Sequence, residues 1–423
     1  MKHLIFFLAC LLFLSSSDSP AQNAWRPFSI ESPWNQKIAS NARLDSQSTQ
    51  LIDDLAKGDF NINIVDWSIP VYYINSDTVP KVNVINSRPG IYGRGYGEPN
   101  HIPILPYFIA SPPVGDFSDN HMSIIDTTKM IEWGMWATRK DKDGNWTTGL
   151  GAMTDVRGTG VEKPWFEQEH EFDAHRARAG GFPLIAGLIR PEEIRAGKIE
   201  HALVFAYQRG RSEFFVPPAS TAQATFMEMN NRVGIPMGGR IQLDPSINVD
   251  TLNLTPACRI IARALQEYGA FNGDYAGATV IYADNSPRAL QLWKGVLKSE
   301  DFREVFTPVF VRRNFRVIEI GNLLPGQNLD SGRIGFVEFS FPGAKSTSID
   351  WLTRTITCIA SRGADLTHAT PVFKTAAKNS SIFRGERKQA SGQSVVDLWK
   401  PVKYRIDVPG TGSAVWTVMV VAR

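Results

Sequence analysis

Five of the seven histidines (His101, His121, His170, His175 and His201) fall between residues 101 and 201. The same stretch carries Asp119, Asp126, Glu132, Asp155, Asp173, Glu192 and Glu193. Imidazole titrates near neutral pH, and carboxylates are the usual proton-transfer and nucleophilic groups of sugar chemistry. A polar site is therefore expected to draw on residues 98–201. The plainer alternative is a set of ordinary hydrogen-bonded residues in a β-rich domain.

Asp126-Thr127-Thr128-Lys129 separates two strand-like runs. With Thr127-Thr128 as a two-residue loop, Ile125 faces Met130, Ser123 faces Glu132, His121 faces Gly134 and Asp119 faces Trp136. Opposed residues share a sheet face, as do alternate residues of one strand. The count places Asp119, His121, Glu132 and Trp136 on one surface, expected to line a solvated cleft, with Gly134 leaving space over the imidazole. An indole can stack on a sugar ring while two carboxylates move protons or attack. A one-residue slip would send Glu132 and Trp136 to the other side, and Thr-Thr is a poor primed turn.

Downstream, Asp173-Ala174-His175 gives a second Asp-x-His pair, followed by Arg176 and Arg178. Guanidinium groups pair carboxylates in a fixed fork, so these arginines, or Arg190, could neutralise an acidic sugar; they could equally be solvated. Glu192 and Glu193 follow Pro191 and read as first-turn residues of a short helix. His201 reads as a satisfied core or edge histidine. The candidate catalytic set is thus Asp119, His121 and Glu132, with Asp126, Asp155 and Asp173 in reserve. Trp136, His175, Arg176 and Arg190 are candidate sugar-binding groups. No nucleotide, phosphate-loop or nucleophile-elbow motif is present, so no cofactor is expected. A structural or catalytic divalent cation stays open, although two Asp-x-His pairs do not by themselves supply the three or four ligands that zinc wants.

These residues need a scaffold, and the sequence between Trp25 and Trp165 suggests one of short strands broken by turns. Strand-like segments run Ile62–Val65, Pro70–Ile74, His121–Ile125, Met130–Trp136 and Trp146–Met153, a pattern that favours a sandwich or jelly roll. One early helix is expected from Ser46 to Lys57. Phe182–Ile189 reads as a buried strand leading into a helical turn at Pro191. Thr255 can cap a helix from Pro256 to Tyr268 with Gly269 as its stop, and Ser286-Pro287 opens another to about Leu297. Leu323–Gln327 reads as a linker or sharp turn, and beyond it the chain alternates like strands to its end. The expected fold is mainly β: a sandwich or jelly-roll-like domain with a few helices, then a small immunoglobulin-like sandwich.

Met1-Lys2-His3, the apolar run Leu4–Leu14 and Ser19-Pro20-Ala21 form a signal-peptide pattern, with cleavage expected near Ala21. The expected units are a signal peptide (1–21), a polysaccharide-active domain (22–326) and an accessory domain (327–423). Secretion, or a periplasmic or cell-surface location, is expected. The formal charge of +3 argues against a nucleic-acid partner, and no later run is long enough to span a bilayer. Cys258 and Cys358 read as buried thiols. Oligomeric state is left open.

From Ser32-Pro33-Trp34-Asn35 to Asp284 the chain resembles an uncharacterised family of secreted bacterial and fungal β-rich proteins. The matching stretches are Asp119-Asn120-His121, Gly187–Arg190, Gly197–Leu203, Gly239–Pro245 and Ala264–Ala270. Residues beyond Leu329 resemble the immunoglobulin-like and PKD-like modules of secreted bacterial proteins. The resemblance implies an extracellular polysaccharide partner and carries no catalytic assignment. Three functions follow as expectations. The first is a glycoside hydrolase using Asp119 and Glu132. The second is a polysaccharide lyase in which His121, or a tyrosine such as Tyr207, takes the proton beside a uronate held by Arg176 or Arg190. The third is a non-catalytic glycan-binding or surface-assembly protein.

Overall fold

The computed structural model describes residues 25–87, 101–111, 119–168, 176–222, 233–326, 334–351 and 353–422. The expected signal peptide lies outside them. The chain is mainly β, with several sheets and few helices, as its sequence predicts.

A six-stranded mixed sheet runs in the order Phe60–Asn63, Thr279–Tyr282, Leu203–Ala206, Ala270–Asp274, Arg240–Leu243 and Phe315–Val317. Its residues alternate between two cores, as the strand period of two requires. Leu203, Phe205, Ile241 and Ile281 face the helix Pro256–Glu267, packing with its Ile261 and Leu265. That helix starts where expected. Thr255 Oγ1 accepts from the Cys258 amide, Pro256 opens the first turn, and Gly269 ends it at φ +67°. Val204, Ala206, Phe271, Val280 and Tyr282 face the opposite way.

On that second side lies a four-stranded sheet, in the order Leu150–Asp155, Ile131–Trp136, Met122–Asp126 and Val71–Ile74. Between the two sheets runs the fully buried segment Phe182–Leu188. It was expected as a strand, and it is instead a series of turns, with Ala186 N donating to Pro183 O and Leu188 N to Ile185 O. Pro183 removes a ladder donor, and a Cβ on Gly187 would sit 2.4 Å from the Val204 amide, so the backbone wedges against the mixed sheet.

The C-terminal strands form a sheet ordered Ala344–Asp350, Thr355–Ala360, Gly412–Ala422, Val402–Val408, Ser381–Arg384 and Arg387–Lys388, beside a pair Phe336–Ser340 and Val372–Thr375. Alternate residues Tyr404, Ile406, Trp416, Val418, Ile356 and Cys358 are buried, and Trp416 meets Trp351 edge to face. Leu324–Pro325, expected within a linker, pairs with Phe214–Phe215, and Pro325 O accepts from the Trp165 indole at 2.7 Å. The apolar core is continuous from Phe166 and Phe214 into Ile334 and Phe336. Both Cys258 and Cys358 are free and buried.

Candidate functional site

The site hairpin closes through four residues and not two. Asp126 pairs with Ile131, Ile125 with Glu132 and Ser123 with Gly134. The Asp126 carboxylate explains the longer loop. It accepts from Thr128 N at 2.7 Å, Lys129 N at 2.8 Å and Thr128 Oγ1 at 2.7 Å, while Met130 turns the chain at φ +58°. Its other oxygen accepts from Ser76 N at 3.0 Å. Burial alone would raise its pKa, but these hydrogen bonds outweigh burial and hold the carboxyl well below the usual range. Asp126 builds the loop and is no longer a reserve catalyst.

The register is shifted by two residues from expectation, and a shift of two preserves the face. His121, Glu132 and Trp136 therefore do share one side, and Asp119, ahead of the strand and across Asn120 at φ +44°, joins them by accepting from Trp136 Nε1 at 3.2 Å. That side faces the protein interior. A Cβ on Gly134 would lie 3.4 Å from Leu184 Cγ, so the space expected above the imidazole is filled. His121 and Glu132 are buried at 4% and 0% exposure, and the solvated cleft of the sequence reading is replaced by an inter-sheet layer.

Within this layer His121 Nε2 lies 3.2 Å from Ala177 O. A carbonyl only accepts, so Nε2 carries the proton and Nδ1 keeps its lone pair, with no hydrogen-bond partner. Burial lowers the imidazole to about 4, Asp119 opposing and Arg178 reinforcing, so it is neutral at physiological pH. Glu132 Oε1 accepts from Ser123 Oγ at 2.6 Å and Ile185 N at 2.9 Å, and Oε2 has no partner. Burial raises this carboxyl despite those bonds and the nearby arginines.

Three residues that the sequence reading did not assign to this face complete the cluster. Arg178 is 1% exposed and donates to Leu184 O at 3.2 Å, while its guanidinium lies 4.7 Å from the centre of the Tyr282 ring. Its Nε and Nη1 have no partner. Tyr282 is buried, which pushes its phenol up. Asp274, partly exposed at the end of its strand, accepts from Tyr275 N at 2.9 Å. Burial raises it to about 7; the charge of Asp119 adds to this and Arg178 opposes it. Asp119, Trp136 and Asp274 are the partly exposed members, with His121, Arg178, Tyr282 and Glu132 beneath them. The sequence held one sign of this meeting. Gly180 and Gly273 let two backbones touch, Gly180 N donating to Gly273 O at 2.9 Å, and a Cβ on Gly180 would stand 3.1 Å from that oxygen.

The remaining candidates lie elsewhere. Asp155 points to the opposite sheet face, exposed and forked by Arg157 through bonds of 2.9 Å, which hold its carboxyl down. Arg176 is spent on Glu162, Met153 O and Thr154 Oγ1. Arg190 is buried, paired with Glu193 at 2.6 Å and 5.4 Å from the Trp25 ring centre, so it is not presented to a solvent-borne sugar. His201 completes this network at 2.8 Å from Glu193. Burial pushes Glu193 up, but Arg190 and His201 outweigh it and hold the carboxyl at about 2. Tyr207 is buried, its hydroxyl between the amide and carbonyl of Ile235. Asp173 and His175 lie outside the described residues. Among the described residues no group of three or more His, Cys, Asp or Glu is placed to hold a metal ion.

Residues 336–420 match the family model described as SGBP, N-terminal, a domain of glycan-binding proteins. A "putative glycoside hydrolase" from Bacteroides thetaiotaomicron is 20% identical over 21% of this chain and 24% of its own, with a TM-score of 0.18. A "putative secreted protein" from Bacteroides fragilis is 10% identical over 22% of this chain and 96% of its own, also at 0.18. This chain thus spans about a quarter of the length of the first of these structures. No curated protein matches the sequence.

Proposed function

We propose that this protein is exported, acts on an extracellular polysaccharide, and is a glycoside hydrolase in its first domain, with Asp119 and Asp274 as the paired carboxylates. The carrying observation is that two partly exposed carboxylates, Asp274 at the end of its strand and Asp119 just ahead of Met122–Asp126, both act electrostatically on the buried guanidinium of Arg178. Asp274, raised to about 7, keeps its proton near neutrality and suits the role of general acid. Asp119 is the base or nucleophile, and Trp136, oriented by its bond to Asp119, offers an apolar ring surface to the sugar. Glu132, the partner expected from sequence, sits too deep and too firmly bonded to reach a glycosidic oxygen. Supporting the location of the site, His121, Glu132 and Arg178 bury polar atoms without partners, and such groups cluster at functional sites.

A second reading, glycan binding without turnover, draws support from the glycan-binding family matched at residues 336–420. Incubation of the full chain with a polysaccharide panel separates the readings. New reducing ends without an unsaturated uronate product support the hydrolase. Unsaturated products mean a lyase, and retention without new ends means a binder.

A further inference from the structure

A cleft of about 560 Å³ opens where the first domain meets the C-terminal strands, away from the Asp119–Asp274 cluster. The first domain contributes Phe166 and Glu167, and the other wall is the strand Val372–Thr375 with residues 378–391. Its volume is that of a small-ligand site. Phe166 and Phe373 give it ring surface, the first buried and the second partly exposed. Hydroxyls of Ser391 and Ser380 and the amide of Gln389 give it polar groups.

Charge says what kind of ligand fits. Residues 336–420 hold 11 Lys and Arg against 6 Asp and Glu, so this region is markedly basic although the whole chain is only +3. Two of those cations, Lys374 and Lys378, line the cleft. Lys378 is exposed and donates to Gln168 O at 2.7 Å, which leaves its other two protons available. Lys374 lies 3.2 Å from Glu167, 3.7 Å from Glu338 and 5.9 Å from the Phe166 ring centre, and remains 43% exposed.

We propose that this cleft is a second saccharide site, selective for an anionic glycan. A sugar with an apolar ring face, hydroxyls and a carboxylate or sulfate matches the partly exposed Phe373 ring, the serine hydroxyls and two ammonium groups. The proposal rests on the functional reading above only for the class of ligand, and it needs no turnover. Held there, a polymer is kept by the same molecule whose first domain carries the Asp119–Asp274 site, and two linked sites bind more tightly than either alone.

The test is calorimetric titration of the full chain with three probes. These are an oligogalacturonate, its fully methyl-esterified form, and a sulfated chondroitin oligosaccharide. The expected result is binding of one or both anionic probes, with the uncharged ester at least about tenfold weaker, since hydrogen bonds to charged groups exceed neutral ones by that order. Which anion binds distinguishes a carboxylate from a sulfate ligand. Lys374→Gln/Lys378→Gln should lose about tenfold toward the anionic probe. Its thermal melting should stay near the wild type, because both side chains are exposed at the surface. The proposal is overturned if the ester binds equally well, if the double lysine variant binds unchanged, or if no anionic probe binds. Reducing-end release from a polysaccharide, measured on the same preparation, tests the hydrolase reading separately. Turnover without cleft binding sinks only the cleft, and cleft binding without turnover sinks only the hydrolase.

Discussion

At the scale of single residues, the proposed site uses Asp274, to which the sequence reading gave no role, in place of Glu132. Glu132→Ala should destabilise the protein by about 1–3 kcal/mol in chemical denaturation, because the Ser123 hydroxyl and Ile185 amide lose their buried acceptor. Glu132→Gln keeps an oxygen for both donors and should leave turnover within a few-fold of wild type. Asp284 offers a pH-dependent check. It is buried, accepts from Val71 N and Ser286 N, and burial raises it to about 6. With its folded-state value above its unfolded one, the unfolded chain ionises first, and stability falls as pH rises from about 4 toward about 6. The slope attributable to this group approaches about 1.4 kcal/mol per pH unit. Neutral His121 contributes the opposite slope over an overlapping range, so the comparison must be with Asp284→Asn, which should lack the slope due to Asp284. Denaturation midpoints of the two proteins across that range check it, and parallel curves would contradict the assignment.

Elements were the most legible level, for reasons specific to each. Thr255-Pro256 and Ser286-Pro287 start helices because a hydroxyl and a proline act locally, within one turn. The site hairpin kept its face although the loop was misjudged, since a two-residue shift leaves side-chain parity intact. What covers that face was not legible. Leu184, Arg178 and Asp274 arrive from 50 to 150 residues away, and only the paired glycines Gly180 and Gly273 hinted at their approach. Phe182–Leu188 misled because a buried apolar run has no periodicity to separate strand from turn. The short helix Pro191–Arg195 carries a prediction of its own. Removing Glu193 leaves Arg190 buried without its partner, and Glu193→Ala should cost about 3–5 kcal/mol in denaturant unfolding. A loss below about 1 kcal/mol would mean that the network contributes little.

For the whole molecule, the alternation of the C-terminal strands announced a sheet. The pinning of Leu324–Pro325 to Phe214–Phe215 was not readable from a Pro-Gly pair that resembles a linker. We propose that residues 327–423 act as an accessory unit whose removal spares the chemistry. A chain ending at Gly326 should still turn over a soluble oligosaccharide, with a lower melting temperature because Phe166 and Phe214 lose apolar neighbours. Its retention on an anionic polysaccharide should drop, since one wall of the cleft is gone. A truncated chain that is folded by circular dichroism yet inactive on the soluble substrate would place these strands within the active site.

Asp119 and Asp274 are the proposed catalytic pair, and both act electrostatically on Arg178. The most direct test of the pair is the turnover of Asp119→Asn and Asp274→Asn on a polysaccharide that the wild type cleaves, beside Glu132→Gln as the control. General acid–base groups contribute on the order of 100- to 10,000-fold, and each Asp variant should lose rate in that range while melting near the wild-type temperature. Equal activity in Asp274→Asn and wild type, or a loss confined to Glu132→Gln, would contradict the assignment of the site.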